Sequence, residues 1–476
     1  MTNLAISLQT TAASFAVGDE WDGISALTPE ATEQSGGYQV AKTFAKVGVQ
    51  GSVGLNAEAM VMAAGIVGGT SKLFTWETAS YPQTNAAMLG ASRSAIQRKR
   101  LAPGQILLAV ASDRSDAAPT WDLMSLRSAG FPAPLCLPRA VACAAAMPIG
   151  DAPLAVIEIG FDDVLVSEVR YDGAAFDCTT VTRKKSLGVA AIWRPLYKQL
   201  EERFSASLPN IDLARCEAMQ FARLLIAHAL NSRGAIAALS RLRQDGDLMR
   251  LDSVIACGVK TQIDRWCKEV ADAIVPALST YRQAVVTVED CGIAPLSAAV
   301  TAQMQRHVAC EFTQGIDAAL GAARIAASGT QLEPLSQRYA QVSKFREMSF
   351  GVLRPDGSGG TSYHALGEVT QLTAPQKFSL RTTREDQARI VLPLGLCAPN
   401  ATPQMLGILE FPLSAPAKKG VLVEFYIELA DPLIHVRGVE EQSVAPVGEI
   451  FVPLDPALAN EAAEYREFVS SMGAVY

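Results

Sequence analysis

The chain has only four histidines in 476 residues, and its nine cysteines contain no CxxC pair. It also has no Lys/Arg stripe longer than a short cluster. Each shortage removes a class of function. Cysteines that are odd in number and scattered from Cys136 to Cys397 fit a reducing compartment, where the thiol serves as a small hydrophobe, better than a disulfide scaffold. His307 and Cys310 stand at i, i+3 and could share one helical face, but no second ligand pair lies near, so no metal is expected. The basic clusters Arg98-Lys99-Arg100 and Arg183-Lys184-Lys185 are short enough to be solvated faces. With a net charge of −7, no nucleic-acid partner is expected. Apolar runs such as Ala59 to Gly69 fall short of the ~20 residues that cross a bilayer. The opening MTNLAISLQTTAAS lacks a basic region and is broken by Ser7, Gln9 and Thr10, which does not fit a signal peptide. The expectation is a cytoplasmic protein with no membrane contact.

What is present is a large supply of core. Hydrophobic residues make up 49% of the chain, and its length exceeds the ~250 to 300 residues at which one core stops growing, so several structural units are expected. Two stretches share one layout of apolar strand, tight turn and apolar strand: NLAISLQTTAASFAV from residue 3, and PLAVIEIGFDDVLVSEVRYDG from residue 153. After each comes a mixed region, then an isolated apolar run expected to be a buried strand (QILLAVAS, 105–112; SVIACG, 253–258). An alanine-rich helix follows in each case (PRAVACAAAM from Pro138; GIDAALGAARIAA from Gly315). This weak duplication predicts two α/β lobes with parallel strands, facing each other across a cleft. Ala and Gly at i, i+3 and i+4 in those helices would allow close crossing, either at a hinge or in a plain well-packed contact.

The pattern changes after residue 333. PLSQRYAQVSKFREM, 334–348, is polar and reads as a linker. Beyond it, KFSLRTT, ARIVLPLGL, MLGILEFPL, GVLVEFYIEL, PLIHVRGV and EIFVPL alternate with period two. Val421, Val423, Phe425, Ile427 and Leu429 make one apolar face, and the six segments predict a β-sandwich. NEAAEYREFVSSM, 460–472, predicts one short amphipathic helix.

This order of parts resembles the DnaK-type 70-kilodalton heat-shock chaperones, whose actin-like ATPase domain precedes a β-sandwich that grips extended peptides. LAISLQTT is similar to the family's first phosphate loop, Ile-Asp-Leu-Gly-Thr-Thr, and IEIGFDDVLVSEV to the second, Asp-Leu-Gly-Gly-Gly-Thr-Phe-Asp. SVIACGVKTQI stands where the family has its adenosine-contacting Val-Gly-Gly-Ser-Thr-Arg turn. Ala319-Leu320-Gly321-Ala322-Ala323 looks like the closing Ala-x-Gly-Ala-Ala helix. In the sandwich, LGILEFPLSAPAKKG, 406–420, and Ser349-Phe350-Gly351-Val352 resemble the family's corresponding segments. The resemblance implies an actin-like lobe I at 1–150, lobe II at 151–333, a linker at 334–348, a substrate-binding-like sandwich at 349–455 and a helical stub at 456–476.

The departures bear on chemistry. ATP hydrolysis in such a cleft needs carboxylates for hydrated Mg²⁺, a lysine on the γ-phosphate and glycines that expose backbone N–H groups. Here Ser7 replaces the first-loop aspartate and Gln9 its glycine. In the second loop Phe161 and Asp162 replace glycines, Asp163 replaces the threonine, and Leu165 stands for the last aspartate. The family's Asn-Glu-Pro-Thr appears as Cys136-Leu137-Pro138-Arg139, and no lysine has the phosphate-lysine context. Uncompensated carboxylates ~4 to 6 Å from a triphosphate cost on the order of a few kcal/mol. Residues left to contact ATP or ADP with Mg²⁺ are Thr10, Thr11, Gly160, Gly258 and Lys260, with Glu158, Asp162 and Asp163 catalytic if turnover survives. For Asp162 and Asp163 the plain alternative is a solvated polar turn. The Gly160-to-Gly258 spacing is short for the family, and QVSKFRE lacks the leucines through which the linker docks.

In the sandwich the resemblance puts Val352, Phe378 and Ile390 in the peptide-gripping pocket, with Ala388 in place of a larger residue, and Arg381 and Pro355 arching over the peptide. Ordinary core is the competing account of Phe378 and Ile390. The helical lid is missing beyond the stub. The expected function is therefore a chaperone-like protein that binds an extended peptide segment or a dedicated client protein without ATP turnover. A divergent active ATP-dependent chaperone and an actin-like assembly scaffold remain as alternatives.

Overall fold

In the computed structural model of the chain, the described residues are 3–19, 23–26, 39–41, 44–47, 52–54, 71–77, 81–98, 105–110, 118–148, 152–173, 175–208, 210–230, 252–289, 293, 295–314, 318–328, 345–355, 361–430, 432–440 and 446–471. The apolar stretch Ala59 to Gly69 and residues 334–344 of the expected linker lie outside them. The chain divides into two units, one of Met1–Pro119, Pro132–Glu333 and Met472–Tyr476, the other of Thr120–Phe131 and Pro334–Ser471.

The first unit contains the same sheet twice. Its first half runs β1 (Asn3–Leu8), β2 (Ala12–Asp19), β3 (Gly23–Ala26) and β4 (Gln39–Ala41). A small sheet of β5 (Phe44–Val47), β6 (Ser52–Gly54) and β7 (Ser71–Phe74) comes next, then α1 (Tyr81–Arg98), β8 (Gln105–Val110), β9 (Leu135–Pro138) and α3 (Arg139–Ala145); between β8 and β9 the chain forms α2 (Ala118–Ser128), which from Thr120 on belongs to the second unit. The main sheet is ordered β3-β2-β1-β8-β9, with β4 also on β2. The second half runs β10 (Leu154–Ile159), β11 (Val164–Tyr171), β12 (Phe176–Lys184), α4 (Ala190–Ser207), α5 (Ile211–Ala229), α6 (Asp252–Leu278), β13 (Gln283–Val288), α7 (Pro295–Met304), β14 (Glu311–Gln314) and α8 (Ala318–Ser328). Its sheet order is β12-β11-β10-β13-β14. In both halves the first strand forms an antiparallel hairpin with the second, and it lies parallel to a later strand on its other side, β8 beside β1 and β13 beside β10. Leu4 to Leu8 and Ala155 to Ile159 are buried throughout, as continuous apolar strands covered on both faces must be.

Two expectations are corrected here. SVIACG is not a strand: residues 253–258 lie in α6. A short apolar run carries no period that separates strand from helix, and this one leads into Val259, Ile263, Trp266, Val270 and Ile274, buried at helical spacing. The strand beside β10 is instead QAVVTV, 283–288. His307 and Cys310 do not share a helical face either, because α7 ends at Met304, His307 lies in a turn and Cys310 in irregular backbone before β14.

The alanine-rich helices do cross closely. A Cβ on Gly321 of α8 would stand 1.7 Å from the Ala142 carbonyl oxygen of α3, and one on Gly18 would stand 2.6 Å from that of Ala323. Arg324 adds a hydrogen bond to the Ala145 carbonyl at 3.1 Å, at the end of α3.

The second unit holds two four-stranded antiparallel sheets around one core. The strands are β15 (Ser349–Pro355), β16 (Thr361–Glu368), β17 (Gln376–Arg381), β18 (Gln387–Cys397), β19 (Gln404–Ala417), β20 (Leu422–Ala430), β21 (Leu433–Glu440) and β22 (Pro446–Pro453), followed by α9 (Ala459–Ser471). One sheet is β16-β15-β18-β19 and the other β17-β20-β21-β22. The six alternating segments are all strands, and β15 and β16 complete the set. Val423, Phe425 and Ile427 point inward as their alternation requires, with Phe411 edge-on to Phe425 at 5.0 Å. Phe345, at the end of the expected linker, is part of this core. Residues of α2 also belong to this unit, where the Trp121 ring lies 6.0 Å from Tyr465 of α9. Among the described residues no helix is long and apolar enough to cross a membrane.

Candidate functional site

Parallel strands whose connections leave in opposite directions open a crevice at their carboxyl ends, where α/β proteins place ligands. In the first unit these ends carry the turn after β1 (Gln9, Thr10, Thr11) and the turn after β10 (Gly160 to Asp163). Both are tight, closed by Gln9 N–H to the Ala12 carbonyl and Gly160 N–H to the Asp163 carbonyl, each at 2.9 Å. Thr10 is half-buried and Thr11 buried.

The carboxylate of Glu289, directly after β13, accepts the Thr11 N–H with one oxygen and the Phe161 N–H with the other, the second at 3.0 Å. One buried side chain thus takes up a backbone donor from each turn. Arg139, the first residue of α3, reaches the Leu8 carbonyl at 2.6 Å and Glu158 at 3.5 Å. A guanidinium at a helix N-terminus opposes the helix dipole, and the buried carboxylate of Glu158 compensates it.

The rest of the second turn is tied into the same half. Phe161 does not face the crevice: its ring is 1% exposed, edge-on to Trp76 at 6.5 Å, with the Arg194 guanidinium 4.9 Å above it. The turn carbonyls accept from the start of α4, Gly188 N–H to Asp162 at 2.9 Å, Val189 to Gly160 at 3.1 Å and Ala190 to Phe161 at 2.7 Å. The helix N–H groups that could hold an anion are spent on the turn itself. Gly188 is required for this fit, since a Cβ there would stand 2.4 Å from the Phe161 carbonyl oxygen.

Asp162 and Asp163 are ion-paired rather than simply solvated. Asp162 meets Arg194 at 2.7 Å, and Asp163 meets Arg183 Nε at 2.8 Å. Arg194 also contacts Glu77 at 3.3 Å. Burial raises the Glu77 carboxyl above its ordinary range against the opposing pull of Arg194. Gly258 and Lys260 lie on α6, where Gly258 is exposed with open space around it and Lys260 pairs with Asp264 at 3.5 Å.

These residues do not fit a magnesium nucleotide. A phosphate between the turns would have to displace the Glu289 carboxylate, and a metal would have to compete with arginine at Glu158, Asp162 and Asp163. Among the described residues no group of three His, Cys, Asp or Glu side chains is placed to hold a metal ion.

In the sandwich, Val352 and Ile390 are buried in the core, and Phe378 is half-buried with its ring stacked on Phe425 at 5.3 Å. Arg381 and Ala388 are exposed on β17 and β18. Pro355 closes β15 opposite Thr361. Among the described strands, β16 and β17 are at sheet edges, each pairing on one side only.

Sequence reasoning located both turns but missed Glu289, Arg139 and Gly188. The available signal for Glu289 was an acidic residue placed directly after a largely apolar strand. No protein-family model matches the chain, and no curated protein matches it.

Proposed function

We propose that the first unit is an actin-like pair of lobes related to the ATPase domain of heat-shock-70 chaperones, and that the chain holds an extended peptide or a dedicated protein partner in its β-sandwich without turning over ATP. The repeated strand order and the equivalent hairpin turns support the actin-like assignment. One observation carries the loss of turnover: the polar groups that would serve a magnesium nucleotide are engaged within the protein, the turn N–H groups by Glu289 and the carboxylates by Arg139, Arg183 and Arg194. The edge positions of β16 and β17 favour a peptide partner, because an extended segment can add to such an edge through main-chain hydrogen bonds. Arg381, exposed on β17, would contribute to side-chain preference for a segment added at that edge.

The test is fluorescence anisotropy of a labelled apolar peptide titrated with the protein, with and without Mg-ATP, while phosphate release is followed in the same samples. Binding should be the same in both and no phosphate should appear. Phosphate release above background, removed by Glu158→Gln, would overturn the proposal.

A further inference from the structure

Glu289 does more than fill a crevice. Its backbone is fixed by its own N–H donating to the Ile159 carbonyl at 2.8 Å, so the side chain leaves from the point where β13 and β10 end side by side. Both oxygens are used, and they are used on different halves of the duplicated unit: Thr11 belongs to the β1–β2 hairpin, Phe161 to the β10–β11 hairpin. The carboxylate is 3% exposed, and hydrogen bonds from N–H to a buried anion are among the stronger ones a protein makes. The Thr11 hydroxyl is also buried and has no hydrogen-bond partner among the described residues. A Cβ on Gly160 would lie 3.9 Å from the carboxylate, so the turn closes over it without a side chain in the way.

A bound oxyanion that bridged the two turns would make the same contacts. We infer that Glu289 is a built-in anionic ligand, a latch that holds the two halves together at their turns and replaces a diffusible anion. This rests on the reading above that the crevice does not cycle nucleotide, and it adds a consequence: the unit is held constitutively in the arrangement an anion would induce. Removing the carboxylate should leave an empty seat with two backbone N–H groups, which a small oxyanion can refill.

The experiment compares the full-length wild type with Glu289→Ala and Glu289→Gln. Amide hydrogen exchange is read at Thr11 and Phe161, and thermal unfolding is followed in sodium acetate, inorganic phosphate and chloride at matched ionic strength. In Glu289→Ala both amides should exchange about tenfold to a hundredfold faster, the size expected for losing a charged acceptor. Its melting temperature should recover in acetate or phosphate but not in chloride, while the wild type responds to none of them. Glu289→Gln keeps the shape but turns an amide N–H₂ toward one of the two donors, so one amide should lose protection and the other keep it. If Glu289→Ala does not fold, Glu289→Gln alone decides the matter. Full protection at both amides in Glu289→Gln, unchanged exchange in Glu289→Ala, or equal rescue by chloride would overturn the latch. ATP turnover by the wild type would sink the non-turnover proposal by a separate readout.

Discussion

Arg139 and Glu158 face each other at 3.5 Å with little solvent access to either, which sets the consequence of removing one of them. Deleting one partner of a buried pair takes a neutralising charge away from the other, a loss of up to about 3 to 5 kcal/mol. Arg139 also holds the Leu8 carbonyl at the end of β1, so Arg139→Ala should fall at the upper end of that range. Arg139→Met combined with Glu158→Leu should recover most of the loss, because the double replacement buries no lone charge. Chemical denaturation of the two single variants and the double variant gives the coupling directly, and additive losses would show that the pair is not a unit. Single residues were the least legible part of the sequence. Phe161, Asp162 and Asp163 could be recognised as unsuited to a phosphate, yet their partners Trp76, Arg194 and Arg183 are set by packing and carry no local signature. Glu289 lies 278 residues from Thr11 in sequence, a separation across which no spacing rule operates.

At the scale of elements, periodicity identified strands and helices where it was long or strongly alternating. The six sandwich segments and α9 follow from it, as do both opening hairpins. It failed at residues 253–258, where a short, mostly apolar run was compatible with either class and only the continuation along α6 decides. The alanine-rich helices show what composition can settle. Gly321 was legible as a small residue at a crossing, and the structure adds that its missing side chain faces the backbone of α3. Because Ala142 offers a carbonyl oxygen and not a flexible side chain, α3 and α8 would have to separate to admit even one methyl. Gly321→Ala should destabilise the first unit by about 1 to 3 kcal/mol through overpacking, despite the higher helix propensity of alanine. Thermal unfolding should show a lowered transition, and a stability equal to or above the wild type would mean that the crossing yields at no cost.

The molecule as a whole is not divided at a single point in the sequence, which the change in pattern after residue 333 could not reveal. Residues Thr120–Phe131 lie between two strands of the first unit in the chain but belong to the second. There the Trp121 ring meets Tyr465 at 6.0 Å, and the Arg127 guanidinium sits 4.8 Å above Phe451, whose ring stacks on His435 at 4.5 Å. Trp121 and Tyr465 are both buried, so α9, which also packs on β19 and β22, takes part of its apolar cover from a helix encoded some 340 residues earlier. A fragment beginning at residue 334 contains all eight sandwich strands and α9, and would pass for a complete domain by pattern alone. It lacks Trp121, whose deletion alone should cost about 3 to 5 kcal/mol, and it lacks the Trp121 and Arg127 contacts to the Tyr465 and Phe451 rings. Such a fragment, 334–476, should therefore unfold at lower denaturant than the same sandwich in the full chain, and should bind a hydrophobic dye in its native baseline. Adding a peptide of residues 116–132 should raise its midpoint and displace the dye, and the same peptide with Trp121→Ala should do neither. A fragment as stable as the sandwich in the intact chain, and indifferent to the peptide, would show that α2 only lies against this unit and does not complete it.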